Sequence, residues 1–286
     1  MDIKFKRLVD CIIQESVNVW NRGFEGYFVP IDMSADMFVQ RLINEGLSME
    51  HSIVAFDNEK PVAIVLNGFR TVNEKKISWN GGTGVAMEYR GTGVSKLLME
   101  ETIKIYAEES TDVATLEAIK QNEKAIRLYE KYGYKVIGNL VYLSGNPEIQ
   151  LNNTQTIRSR TIRPEQLPSY AFHSENVPWQ CQWQSVKQGE AQVYYNEEDN
   201  PIGYSLYRKS WNQEGKLDKV FLFQIELFEE VSESLVGSIL SSITGQEGNS
   251  VNFITINASE NNPVIQYFIK NGFKITTEQV QMVKYL

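Results

Sequence analysis

Val85-Ala86-Met87-Glu88-Tyr89-Arg90-Gly91-Thr92-Gly93-Val94-Ser95 reads as a strand that passes through a glycine-punctuated turn into a helix. Arg90, Gly93 and Ser95 stand in the spacing R-x-x-G-x-S, and an amphipathic run follows with Val94, Leu97, Leu98 and Ile105. A fresh helix start leaves several backbone N–H groups unpaired and pointing one way, at the positive end of the helix dipole. That is a site for a phosphate or pyrophosphate. Gly91 and Gly93 let the backbone approach the anion closely, because no Cβ intervenes. The segment predicts a phosphorylated cofactor. It is not a dinucleotide-binding loop of the G-x-G-x-x-G kind, since position 96 is Lys96. Nor is it a P-loop, since no G-K-[ST] closes it.

A lone G-x-G turn is equally a plain helix start, and a second element decides between the two. Leu116-Glu117-Ala118-Ile119-Lys120-Gln121-Asn122-Glu123-Lys124-Ala125-Ile126-Arg127-Leu128-Tyr129-Glu130-Lys131-Tyr132-Gly133-Tyr134 reads as a strand, an Asn at the strand exit, a short helix and a Gly stop before an aromatic. In order and separation the two elements resemble the GNAT superfamily of acetyl-CoA-dependent N-acetyltransferases. The family patterns are V-x-P-x-[YF]-[RQ]-G-x-G-x-[GA] and N-x-x-A-x-x-L-Y-x-x-x-G-[FY]. Two departures are small: Met87 takes the place of Pro, and Ser95 that of a final Gly or Ala.

The resemblance implies acetyl-CoA as donor, held by Val85, Met87, Arg90, Gly91, Thr92, Gly93, Val94, Ser95 and Asn122. It makes the Val85 N–H the oxyanion donor, although Val85 is equally an ordinary buried strand residue. Asn122 serves the pantetheine arm or simply caps the next helix. Tyr129 matches the family tyrosine that protonates the leaving thiolate; a packed aromatic is the plainer alternative. Glu117 stands where some relatives carry the general base. Others carry an acid before the phosphate turn, where this chain has Trp79-Asn80-Gly81-Gly82-Thr83 and no carboxylate. The base is therefore open between Glu117 and a water chain. The acceptor pocket falls to Trp20, Phe24, Glu25, Tyr27, Phe28 and Asp32, a set of aromatics and acids suited to a cationic amine.

The 286 residues allow one large domain or two ordinary ones. With 42% hydrophobic and 22% charged residues the chain is of soluble globular type. A net charge of −8 gives no handle for nucleic acid or an anionic membrane. No apolar run reaches the length of a membrane span, and the first residues lack a signal-peptide core. Cys11 and Cys181 do not make a disulfide framework, and His51 and His173 have no metal-ligand spacing. The expectation is a cytoplasmic, metal-free protein with a small-molecule or peptide amine as partner and an open oligomeric state.

Along the first half, periodicity places helices at about 10–21 and from Ser34 to Gly46, and strands at 52–56, 61–66, 77–89, 113–119 and 134–143. Gly81 and Gly82 mark a bulge or splay. Periodicity alone gives α/β or α+β with a mixed sheet; the resemblance makes it two tandem GNAT-type domains. The polar stretch 147–156 reads as a linker between a catalytic domain, 1–146, and a second domain, 157–286. The second half repeats the first: Gly133-Tyr134-Lys135 matches Gly272-Phe273-Lys274 at an offset of 139 residues. The same offset puts Asn261 on Asn122, Tyr267-Phe268 on Leu128-Tyr129, and Phe228 on Tyr89. It also puts Glu229, Glu230, Ser232 and Ser234 in the phosphate turn, so the second copy is expected to be degenerate. The function expected is an N-acetyltransferase, with a non-catalytic acyl-CoA-binding or sensor protein as the alternative.

Overall fold

The computed structural model describes residues 1–146, 157–174, 176–245 and 251–286, so the expected linker at 147–156 lies outside the described residues. The first half runs β1 (Ile3–Arg7), α1 (Ile13–Gly23), α2 (Ala35–Glu45), β2 (Leu47–Asp57), β3 (Lys60–Val72), β4 (Lys75–Val85), α3 (Val94–Glu108), β5 (Val113–Ile119), α4 (Glu123–Lys131) and β6 (Lys135–Gly145). The second half runs β7 (Arg158–Ile162), β8 (Glu190–Tyr195), β9 (Pro201–Trp211), β10 (Leu217–Leu227), α5 (Glu233–Thr244), β11 (Asn252–Thr255), β12 (Ala258–Ser259), α6 (Pro263–Lys270) and β13 (Lys274–Tyr285). The class is mixed α/β, as expected.

Contacts group the chain into two compact units: Met1–Ile137 with Val280–Leu286, and Gly138–Gln279. These are not the stretches 1–146 and 157–286 drawn from the sequence. The last strand of each copy changes sides: β6 enters the second unit at Gly138, and β13 enters the first at Val280.

In the first unit the strand order is β1-β2-β3-β4-β5, with the end of β13 beside β5. The β4–β5 pair is parallel and the β1–β2, β2–β3 and β3–β4 pairs antiparallel. Residues 62–66 of β3 are buried without a break, the pattern of a strand covered on both faces. Val94, Leu98 and Ile105 of α3 pack on one face with Val62, Val65 and Val85. On the other face α1 lies so close that a Cβ on Gly23 would come within 2.8 Å of the Gly84 carbonyl carbon. α1 runs on to Gly23 rather than stopping near 21, and only glycine fits at that contact. Ser34 caps α2 and Gly46, in the left-handed region at φ 65°, ends it. β2 and β3 exceed their predicted spans because pairing continues past the apolar stretch that periodicity detects.

In the second unit the order is β6-β11-β10-β9-β8-β7, with β10–β11 parallel. The repeat is incomplete. Three 3-10 turns, at Pro164–Ser169, Trp179–Cys181 and Trp183–Ser185, stand where the first half has α1 and α2. From β9 onward the correspondence holds, with two corrections. Asn262, not Asn261, caps α6 as Asn122 caps α4. Ala86 N–H donates to Val62 O and Phe228 N–H to Ile202 O, so Phe228 answers to Ala86, not to Tyr89. Phe268 does answer to Tyr129: the N–H groups of Tyr134 and Phe273 donate to their respective carbonyls.

Candidate active site

β4 and β5 pair only from Ile77↔Val113 to Asn80↔Leu116 and then diverge. On its other edge β4 carries the expected bulge: Asn80 pairs with Asn67 and Gly82 with Leu66, leaving Gly81 out of register. The Asn80 side chain stabilises it by accepting from Gly82 N–H at 3.0 Å. Beyond the bulge, Ala63 faces Val85, and the Ala86 N–H to Val62 O bond makes that a non-hydrogen-bonded pair. The N–H and C=O of Val85 therefore both point away from β3, toward the diverging side. Met87 follows, 52% exposed.

The turn to α3 comes next. Tyr89 anchors it by donating its hydroxyl proton to Asp57 at 3.0 Å. The Thr92 hydroxyl donates back to Tyr89 O at 2.6 Å. Gly91 (φ 79°) and Gly93 (φ 98°) hold left-handed conformations with open space where a Cβ would be. Gly93 opens α3, and no side chain caps it, unlike α2, α4, α5 and α6. The first-turn N–H groups at Gly93, Val94 and Ser95 thus face outward over open space, while the buried Val94 side chain fastens the turn to the core. Arg90 makes bonds within the protein. Its N–H is spent on Met87 O. Its guanidinium donates to three backbone carbonyls: Val85 at 3.0 Å, Gly23 at 3.0 Å and Glu25 at 2.8 Å.

Tyr129, on α4, is buried against Met99, Tyr106, Leu116 and Tyr134 of the first unit, and Val280 and Met282 close the same cluster. Burial pushes its phenol up to about 12; a hydrogen bond with Thr83 opposes the shift and the nearby Tyr27 phenol adds to it. Thr83 is itself held by Asn80, whose amide donates to it at 2.9 Å. The expected residues did not include Thr83 or Asn80; their signal was the N-x-x-T spacing across the two glycines. Asn122 caps α4 by accepting from Ala125 N–H at 3.3 Å, and the Tyr27 hydroxyl is hydrogen-bonded to the same side chain. Glu117 sits one residue past the last β4–β5 pair, where its carboxylate accepts from the Trp79 indole N–H at 2.7 Å.

The loop between α1 and α2 forms a pocket of about 440 Å³ lined by Phe24, Glu25, Tyr27 and Asp32, together with Asn21, Arg22, Gly26, Val29 and Pro30. Four of the six residues expected there line it. Trp20 instead lies in the core, its indole N–H donating to Ile31 O at 3.0 Å, and Phe28 is 55% exposed. Phe24 and Tyr27 meet edge to face at 5.2 Å, the geometry that aromatic quadrupoles favour. Among the described residues no cluster of metal-ligating side chains occurs, and no helix is long and apolar enough to cross a membrane.

The second unit has the same divergence, and its own side chains fill it. β10 and β11 pair from Lys219↔Asn252 to Leu222↔Thr255, with a matching bulge after Leu222. Glu226 stands where the first copy has Gly84. The Asn262 amide donates to Ile225 O at 3.1 Å and to the Glu226 carboxylate at 3.0 Å. Burial raises the Glu226 carboxyl above its ordinary value, against the effect of that bond. On the facing side the Cys181 thiol donates to Ile256 O at 3.0 Å. The connection into α5 has five residues where the first copy has eight, and Ser232 caps the helix by accepting from Leu235 N–H at 3.2 Å. Glu229 and Glu230 are exposed within it. Phe268, in place of Tyr129, is buried and stacked on Phe273 at 4.5 Å.

A model of the acetyltransferase (GNAT) family matches residues 17–134. A search of curated protein sequences gave no significant match. Among solved structures, a GCN5-related N-acetyltransferase from Sphaerobacter thermophilus superposes with a TM-score of 0.67 at 13% identity, covering 99% of this chain and 95% of that one. A tandem GNAT protein from the clavulanic acid biosynthesis pathway gives 0.66 at 10% identity, over 99% and 98% of the two chains. A putative acetyltransferase from Pyrococcus horikoshii gives 0.62 at 16% identity, over 100% and 89%. Residues 17–134 are thus similar to the acetyltransferase (GNAT) family, and the whole chain has the fold of the GNAT proteins, tandem ones among them.

Proposed function

We propose that the first unit moves the acetyl group of acetyl-CoA to a primary amine by direct attack. The observation that carries this reading is the divergence of β4 and β5, with the Val85 N–H turned away from β3, an uncapped start of α3 after it and the Tyr129 phenol hydrogen-bonded to Thr83 of β4. The pyrophosphate would take the backbone donors of Gly91, Gly93, Val94 and Ser95, the Thr92 N–H being turned back onto Tyr89 O. The pantetheine arm would run along Val85 and Met87 toward the Asn122 amide. The amine would enter from the pocket of Phe24, Glu25, Tyr27 and Asp32.

Attack needs a neutral amine, so a proton must leave it; Glu117, directly or through one water, is the base assigned here. The amine nitrogen then bonds to the thioester carbon, and the Val85 N–H stabilises the oxyanion. As the C–S bond breaks, charge gathers on sulfur and the Tyr129 hydroxyl donates to it. With its phenol near 12 and a thiol near 8.5, complete transfer from Tyr129 would be uphill by about 5 kcal/mol. Tyr129 thus acts as a hydrogen-bond donor; the proton taken from the ammonium before attack passes from the base to solvent, and the second proton, which the nitrogen releases as the amide forms, ends on the thiolate.

The second unit is assigned no cofactor: its divergence is occupied by Asn262, Glu226 and Cys181, and Ser232 takes up a helix N–H that an anion would need. Calorimetry with CoA, followed by a thiol-release assay with acetyl-CoA and a panel of amines, tests the whole reading. One CoA per chain and amine-dependent thiol release support it. Binding without turnover on any amine would return the acyl-CoA-binding or sensor alternative, and two CoA per chain would defeat the assignment of the second unit.

A further inference from the structure

We propose that Arg90 is a positioning residue that couples the phosphate turn to the acceptor pocket, and not a ligand of the phosphates. The proposal rests on the CoA reading above and deepens it. An arginine within R-x-x-G beside an anion site is naturally read as a phosphate ligand. Here the planar fork is already committed elsewhere. Nε donates to Val85 O, and one terminal nitrogen bridges Gly23 O and Glu25 O.

Those three carbonyls belong to three different parts of the site. Val85 O lies on the same residue, and toward the same side, as the N–H that faces the divergence. Gly23 O ends α1, where carbonyls lack intrahelical partners and a cation is favoured. Glu25 O opens the loop that lines the pocket. Gly23 also packs directly on the Gly84–Val85 backbone, so the joint has little slack. One side chain from the phosphate turn thus fixes both the oxyanion donor and the near wall of the pocket. Ordering the turn with an anion should therefore order the loop as well. A lysine, with a single rotatable ammonium, cannot span the three acceptors that a planar guanidinium spans.

A second link between turn and helix exists in the ion pair of Glu88 with Arg22, but it is exposed and open to screening. Glu88→Gln is therefore the control. The test is hydrogen exchange on the full chain with and without CoA, read over 24–32, over 91–97 and over the β3 core at 62–66. In wild type, CoA should slow exchange at 91–97 and also, by at least threefold, at 24–32. In Arg90→Lys and Arg90→Met, CoA should bind within about threefold of wild type and still protect 91–97, while its effect on 24–32 disappears. Without CoA the same variants should exchange at least tenfold faster at 24–32 and at the wild-type rate at 62–66, which a general loss of stability would not leave. Glu88→Gln should behave as wild type. A tenfold loss of CoA affinity in both Arg90 variants would make Arg90 a phosphate ligand after all and overturn the proposal. Persistence of the CoA effect at 24–32 in those variants, or its loss in Glu88→Gln, would do the same. Wild-type protein that CoA does not protect at 91–97 would instead sink the CoA reading itself.

Discussion

The two strand divergences share a bulge, a register and a following helix, yet the side chains that meet them differ. In the first unit Gly84, Tyr129 and an uncapped α3 leave backbone donors facing the gap. In the second, Asn262 and Cys181 donate to the carbonyls on its two sides, and Ser232 takes up a helix N–H. Buried polar backbone must find a partner, and a few side chains decide whether that partner is internal or a ligand. Closing such a site needs no change of fold. A glycine that becomes a carboxylate, a tyrosine that becomes a phenylalanine and a shorter connection are enough.

The largest expected effect tests how separate the two units are. Met282, fully buried beside Tyr129, comes from the sequence of the second copy. Met282→Ala should cost about 2–5 kcal/mol, and the loss should fall on the first unit. Denaturation followed through the first unit's own tryptophans, Trp20 and Trp79, would show this. An effect confined to the second unit would contradict the division of the chain at 137 and 279.

Next in size is the catalytic contrast. Tyr129→Phe should lower kcat by about 10²–10³-fold with CoA affinity nearly unchanged, as for a donor used when charge develops. Phe268→Tyr should leave turnover where it was. A drop in affinity with intact kcat for Tyr129→Phe would mean that the phenol only holds the cofactor.

Smaller again is the effect at the helix starts. Gly93→Val forces a β-branched residue to φ 98° and should weaken CoA binding by about 1–3 kcal/mol. Ser232→Ala should cost about 1 kcal/mol of second-unit stability and leave CoA binding alone. Titration calorimetry and urea melts on the two variants check both halves of the contrast.

The smallest effect concerns Glu226. Its folded carboxyl is raised above the ordinary value of about 4.5, so the folded state favours the proton. That contribution is fully present below the unfolded value and is lost as pH rises through the raised one. Glu226→Gln has no charge to bury and should be more stable than wild type at pH 7, by up to about 1 kcal/mol. The advantage should vanish near pH 4. A variant less stable at both pH values would show that the carboxylate, not its protonated form, is what the second unit uses.

Much of the first domain was legible because its signals are local. Glycines that need positive φ, the Asn122 cap and the Gly133 stop each announce themselves within a few residues. The strand exchange was not legible, because a period of two tells which face of a strand is buried and nothing about which partner it meets. The match to Asn261 failed because α6 is one residue shorter than α4, and of the adjacent pair Asn261-Asn262 the second is the cap. Glu226 drew no notice, since its match to Gly84 appears only once the bulges are aligned in register. The three carbonyl partners of Arg90 were not legible for a different reason: a guanidinium serves a phosphate and a carbonyl equally well, and only geometry separates them.

The exchange of final strands also bears on how the chain is made. Residues 280–286 complete the first unit, down to the Leu286 N–H that donates to Asp112 O at 3.0 Å. A ribosome delivers them only after the entire second unit has been synthesised. The first domain must therefore wait on the nascent chain with one edge of its sheet and one wall of Tyr129 missing, an aggregation-prone interval. A gene fission between the copies would give two products that each lack a strand, so recombination can duplicate this pair but cannot readily separate it.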